Sequence, residues 1–363
     1  MCFKCSISRR QLMTSLPGAA AAVPPVAIGA SVSASDEAGS AVIGSGDYRY
    51  RVDNSWAKLP PGLAFGDAPA VAVDRVDNVY VFCRSKDPVI VFDRDGNFIR
   101  SWGADAGFKN PHGAAIGPDD TLYLTDDGDH TVRQFTLDGK LLMTIGVPGR
   151  PADAFSGEPF NRCTHTALAP TGEIYVSDGY SNARVHKYSP DGRLLFSWGE
   201  LGTLPGQFNT VHNIVCDDDG WVYVADRENH RVQVFDGNGR FETQWNNLSR
   251  PCGLYMPSGR GQLCYIGELG PENVARNTRH APNLGPRITI TTSAGEILAF
   301  LGTKPLGDEA PDQFIAPHGI AVDSRGDIYV AEVANTYWPI LFGVRPDHEL
   351  RCFRKLIRIG SGK

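Results

Sequence analysis

Six copies of one sequence unit run along this chain, and that recurrence restricts its fold more than any other feature. The unit reads x-H-G-z-A-V-D-x-x-G-x-z-Y-V-x-D, then R-V-x-x-F-D-x-x-G-x-z-x-x-x-W-G, with z an apolar residue. Its copies centre on Tyr80, Tyr123, Tyr175, Tyr223, Tyr265 and Tyr329, at intervals of 43, 52, 48, 42 and 64 residues, which leaves room for four short strands in each. Apolar and polar residues alternate in Gly319-Ile320-Ala321-Val322 and Asp327-Ile328-Tyr329-Val330, the period of half-buried strands. Asp95-Gly96, Asp138-Gly139 and Asp191-Gly192 supply tight turns between the third and fourth strands. A four-stranded sheet cannot bury both faces alone, and stacking such sheets radially around an axis covers them. The sequence therefore predicts an all-β, six-bladed β-propeller; an open solenoid would leave unpaired edges. The last copy carries an insertion, Pro339 to His348, and lacks a fourth strand. Residues Tyr48 to Trp56 resemble an outer blade strand and are expected to close the ring.

The 40 glycines and 25 prolines fall between the strand-like runs, as turns do. A net charge of −6 without a Lys/Arg stripe excludes a phosphate-backbone footprint, so nucleic acid is not expected as a partner. Residues 1–35 read differently. Ser8-Arg9-Arg10 precedes Leu12-Met13 and an Ala/Val/Pro stretch without acidic residues, which ends in the small-x-small run Val32-Ser33-Ala34. This describes a cleavable export signal of twin-arginine type, too short and too Pro-broken to span a membrane. The expected organisation is signal 1–35, linker 36–47 and a single propeller domain 48–363, periplasmic or secreted and monomeric. Six cysteines remain beyond the signal, in spacings that match no disulfide framework or CxxC zinc motif.

Alignment of the copies on their tyrosines exposes a second pattern eleven residues earlier, where His112, His212 and His318 stand. They occupy one slot, at the entry to the innermost strand of blades two, four and six. Alternate blades of a six-bladed ring lie about 120° apart, so three such side chains converge on the axis in the three-ligand arrangement of a catalytic zinc. The odd blades carry Pro69, Thr164 and Cys252 there. His130 and His230 fall in loops between second and third strands, where a turn role is expected. At the end of the second strand an acid recurs (Asp126, Asp178, Asp226, Glu268, Glu332), which marks fold rather than chemistry. Arg84, Tyr180 and Arg227 break that repetition near the histidine rim. Two cations beside a phenol are expected to lower its pKa and make it a usable base.

At these residues the chain resembles the peptidyl-α-hydroxyglycine α-amidating lyase family, a group of NHL-repeat propellers. The likeness spans roughly residues 60 to 340 and is strongest in Val176-Ser177-Asp178-Gly179-Tyr180-Ser181-Asn182-Ala183-Arg184 and in Val224-Ala225-Asp226-Arg227-Glu228-Asn229. The resemblance implies zinc on His112, His212 and His318, Tyr180 as general base, and Arg84 and Arg227 as active-site residues. It implies a substrate that is a small peptide or amide, cleaved at the N–Cα bond of a C-terminal α-hydroxyglycine to give an amide and glyoxylate. It also implies a structural calcium held through backbone carbonyls, at Val71, Ala114 and Gly319. The chain departs from the family where Gly319 replaces an aspartate after the last histidine and where Ala316 replaces a methionine. Counterparts to the family's disulfide cysteines are lacking, and no monooxygenase domain accompanies these residues.

Two other functions compete. NHL propellers also serve as non-catalytic scaffolds that bind a protein or glycan, and a metal-free chain stable in chelator would fit that reading. A calcium-dependent lactone or ester hydrolase would need Glu, Asn and Asp at the axis, where this chain has histidines.

Overall fold

The computed structural model describes residues 41–259, 262–271, 284–302, 305–308 and 310–360. The export signal expected over 1–35 lies outside these residues. The rest is a six-bladed β-propeller. Five blades are four-stranded antiparallel sheets built from consecutive strands. Their inner strands are Ala70–Val73, Pro111–Ile116, Cys163–Leu168, Val211–Cys216 and Pro251–Tyr255. The sixth blade has Pro317–Val322 inside, then Ile328–Glu332 and Phe353–Ile359, and its fourth strand is Tyr48–Asp53 from the other end of the chain. The ring closes as the sequence predicts. Residues Val42–Ser45, in the stretch expected to be linker, add a fifth strand that covers this edge.

The repeat tyrosines are all buried, and the aspartate of the V-D-x-x-G turn explains how three of them bury a hydroxyl. Tyr223 Oη donates to Asp217 at 2.7 Å, Tyr329 Oη to Asp323 at 3.0 Å and Tyr80 Oη to Asp74 at 3.3 Å. The tryptophan that ends most units latches one blade to the next. Trp102, Trp198 and Trp245 each lie over the turn glycine of the following blade, namely Gly139, Gly239 and Gly295. A Cβ on Gly139 would come within 2.8 Å of the Trp102 ring, and its backbone φ of +91° favours glycine independently. Across the ring closure Gly96 lies against the Trp56 backbone carbonyl, with the Trp56 ring beside it.

The recurring acids fix the loops that enter the inner strands. Asp126 accepts the Asn110 N–H at 2.8 Å, Asp226 that of Asn209 at 2.7 Å, and Glu332 those of Ile315 and Ala316 at 2.8 and 3.0 Å. Each bond falls two or three residues before a histidine of the slot. Two of these carboxylates are themselves paired: Asp226 with Arg231 at 2.7 Å and Glu332 with Arg354 at 2.5 Å, the latter pair wholly buried. Removing one member of such a pair strands the other charge, at a cost of about 3–5 kcal/mol.

Among the described residues there is one α-helix, α1 (Ala334–Phe342), inserted in the sixth blade. It overlaps the expected insertion but begins five residues earlier. No described helix is long and apolar enough to cross a membrane.

Candidate metal centre

In blades two to six the inner strand slips register at one residue, a β-bulge. The bulged residues are His112, Thr164, His212, Cys252 and His318, the members of the slot. A bulge re-aims a side chain, and here it turns the even-blade imidazoles toward the axis. Their ring centroids lie 4.6 to 4.9 Å apart. One ligand atom from each falls within 4.8 Å of the others, and all three residues are buried.

The odd blades set the tautomer. His112 Nδ1 lies 2.6 Å from the Thr164 carbonyl, His212 Nδ1 2.8 Å from that of Cys252, and His318 Nδ1 2.7 Å from that of Pro69. A carbonyl can only accept, so each Nδ1 carries the proton and each Nε2 presents a lone pair. Burial above all, with the neighbouring arginines, holds the three pKa values well below the ordinary histidine range, so the rings stay neutral, the form that binds metal. The residues present fit a divalent transition ion.

Tyr180 belongs to this centre. Its Oη lies 3.0 Å from His112 Nε2 and 2.9 Å from His212 Nε2, and Arg227 Nη1 donates to it at 3.5 Å. The expected lowering of its pKa is not found: burial raises it, and Arg227 only partly offsets the rise. Arg84 stands near the rim, but its hydrogen bonds go to the Pro111 carbonyl at 3.3 Å and Thr336 Oγ1 at 3.0 Å. His130 and His230 take the turn positions expected of them, both at positive φ.

Sequence reasoning passed over four participants. Arg162 places its guanidinium 4.6 Å above the Tyr180 ring, closer than Arg227 at 5.4 Å, and pairs with Asp127 at 2.6 Å. Glu228 pairs with Arg227 at 2.7 Å and with Arg250 at 2.8 Å; these two cations outweigh its partial burial and push its carboxyl down to about 2. Cys252 lays its sulfur 3.4 Å from His212 Nδ1, and burial pushes that thiol up to about 12. All six described cysteines are free thiols.

The expected calcium positions fare differently. Val71, Ala114 and Gly319 do lie on inner strands of neighbouring blades. However, the strand at Gly319 runs against blade one so closely that a Cβ there would sit 2.6 Å from Ala70 Cα and 2.8 Å from the Pro69 carbonyl oxygen. The backbone leaves no room for the missing carboxylate, and carbonyls alone do not balance a dication's charge, so the residues present do not fit a calcium site. Gly319→Asp is accordingly expected to lower Tm by several degrees, and millimolar calcium to restore none of it; recovery in calcium would contradict this account.

The NHL repeat profile matches residues 208–235 and 314–336. Human NHL repeat-containing protein 3 is 32% identical over 303 residues, covering 78% of this chain and 81% of that protein. Peptidyl-alpha-hydroxyglycine alpha-amidating lyase 1 of Drosophila melanogaster is also 32% identical, over 331 residues; the match covers 78% of this chain and 58% of that protein. Among solved structures, virginiamycin B lyase from Staphylococcus aureus superposes with a TM-score of 0.52 at 16% identity, covering 76% of this chain and 81% of that one, a likeness of fold.

Proposed function

Because the chain belongs to the NHL-repeat family that includes NHL repeat-containing protein 3 and the peptidyl-α-hydroxyglycine α-amidating lyases, we propose that it is a zinc-dependent carbon–nitrogen lyase. Its substrate would be a C-terminal α-hydroxyglycine or a similar carbinolamide. The observation that carries this reading is the placement of one phenol oxygen, Tyr180 Oη, against two of three converging imidazole nitrogens.

In the reaction the N–Cα bond breaks, the hydroxyl oxygen becomes the aldehyde oxygen of glyoxylate, and the hydroxyl proton ends on the amide nitrogen. His112, His212 and His318 would hold the ion, which would supply Lewis acidity toward the substrate's hydroxyl or carboxylate oxygen. Tyr180 Oη, as the phenolate that a bound ion and Arg227 would favour over the neutral phenol, is the group placed to take that proton and pass it to the leaving nitrogen. Arg227, within reach of Oη, favours the phenolate while the proton is away. Arg84 and Arg227 together supply positive charge for a carboxylate. Export, to the periplasm or beyond, rests on residues 1–35 alone.

The test combines elemental analysis with turnover. Imidazoles also suit iron, copper and nickel, so the ion must be measured. Freshly purified protein incubated with a peptide ending in α-hydroxyglycine is expected to release glyoxylate and the shortened amide in equal amounts. Metal-loaded protein that releases neither would reject the lyase. A scaffold propeller is the second reading, favoured by the fuller coverage of NHL repeat-containing protein 3, whose name specifies no reaction.

A further inference from the structure

Both arginines proposed to meet the substrate are tied to the same inserted helix. At the first turn of α1, the N–H groups of Asn335 and Thr336 donate to the Asp67 carboxylate at 2.8 and 3.1 Å. Arg84 Nη1 in turn donates to Thr336 Oγ1 at 3.0 Å and lies 3.6 Å from that carboxylate. On the other side Tyr337 Oη accepts from Arg250 Nη1. Arg250 grips Glu228 through Nε at 3.0 Å and Nη2 at 2.8 Å, and Glu228 accepts from Arg227 Nε at 2.7 Å. That bond holds the Nε side of the Arg227 guanidinium against Glu228, and its Nη1 stands toward Tyr180.

We propose that α1 is a bracket that aims Arg84 and Arg227 at one anionic group of the substrate, with Thr336, Tyr337, Arg250 and Glu228 as positioning residues. The charges agree with an anion. Arg84, Arg162, Arg227 and Arg250 surround the centre, and the carboxylates that pair with them are Asp67, Asp127 and Glu228, so one cation is left over before any metal is counted. The proposal rests on the lyase reading for the identity of the anion, a carboxylate, but not for the existence of the bracket.

The experiment uses the full chain loaded with cobalt(II), whose visible bands report glyoxylate binding without turnover. Thr336→Val/Tyr337→Phe is expected to weaken glyoxylate about tenfold or more with cobalt stoichiometry unchanged, since small misplacements of positioned groups are costly. Thr336→Ser, which keeps the acceptor, should stay within about twofold of the parent. Arg250→Lys, which keeps the charge but not the two-pronged grip on Glu228, should show the same loss should the double variant fold poorly. Glyoxylate binding within twofold of the parent in both the double variant and Arg250→Lys would overturn the bracket, as would a parent protein whose cobalt bands ignore glyoxylate. A parent that binds glyoxylate but cleaves no α-hydroxyglycine peptide would refute the lyase reading and leave the bracket standing.

Discussion

His212→Ala is expected to empty the centre and stop glyoxylate release, with activity falling by more than about 10²-fold. Changing groups that only orient metal ligands already costs about 10- to 100-fold in affinity or activity, and loss of a ligand must exceed that. His212 is the ring with most to lose, because it is wholly buried, anchored by the Cys252 carbonyl and in contact with Tyr180. A second readout separates metal loss from unfolding. An ion that binds only the folded chain stabilises it by about 2.7 kcal/mol at a hundred times its Kd, so chelator should lower Tm of the parent. In the variant, Tm should already be lower and should no longer respond to chelator. Release that persists in a metal-free His212→Ala protein would end the mechanism, whatever the fold.

The parts of this molecule that register could reveal were legible before any coordinates. His112, His212 and His318 share one position relative to their tyrosines, and the bulge at that position is what carries them to the axis. Ring closure was legible because Tyr48–Asp53 has the pattern of an outer strand and the last copy lacked one. The same register also held what was passed over. Arg162 and Arg250 each stand two residues before the slot residue of an odd blade, Thr164 and Cys252, and Asp67 stands two before Pro69. The even blades have Asn110, Thr210 and Ala316 there. The odd blades therefore present charge to the rim where the even blades present imidazoles one layer in. Arg162 and Arg250 also adopt positive φ, a kink that residue identity does not announce.

Depth and the helical form of the insertion were not legible. Register places two cations near Tyr180 but does not show that the phenol is partly withdrawn from water, and that desolvation decides the direction in which its pKa moves. α1 contains Pro339 and a weak apolar stripe, so local pattern does not mark it as a helix; packing of Ala334, Tyr337 and Leu341 beneath it does. Its contacts with Asp67 and Arg250 join residues some 268 and 87 positions apart, the first across the ring closure and the second between consecutive blades.

Tyr180→Phe should separate the ion from the proton. The substitution removes one oxygen and keeps the ring on which Arg162 and Arg227 stack, so the three imidazoles should bind metal in the parent's stoichiometry. Proton transfer by a placed side chain contributes about 10²- to 10⁴-fold, and kcat for glyoxylate release should fall by that order. Folding should be little affected, because the Nε2 atoms that lose the phenol are the ones an ion engages, and Arg227 retains Glu228. The contrast with His212→Ala is the informative part: one variant loses metal and turnover together, the other turnover alone. A Tyr180→Phe protein that holds its ion and works within about threefold of the parent would mean that the proton travels by another route, since threefold is far below what general base catalysis contributes.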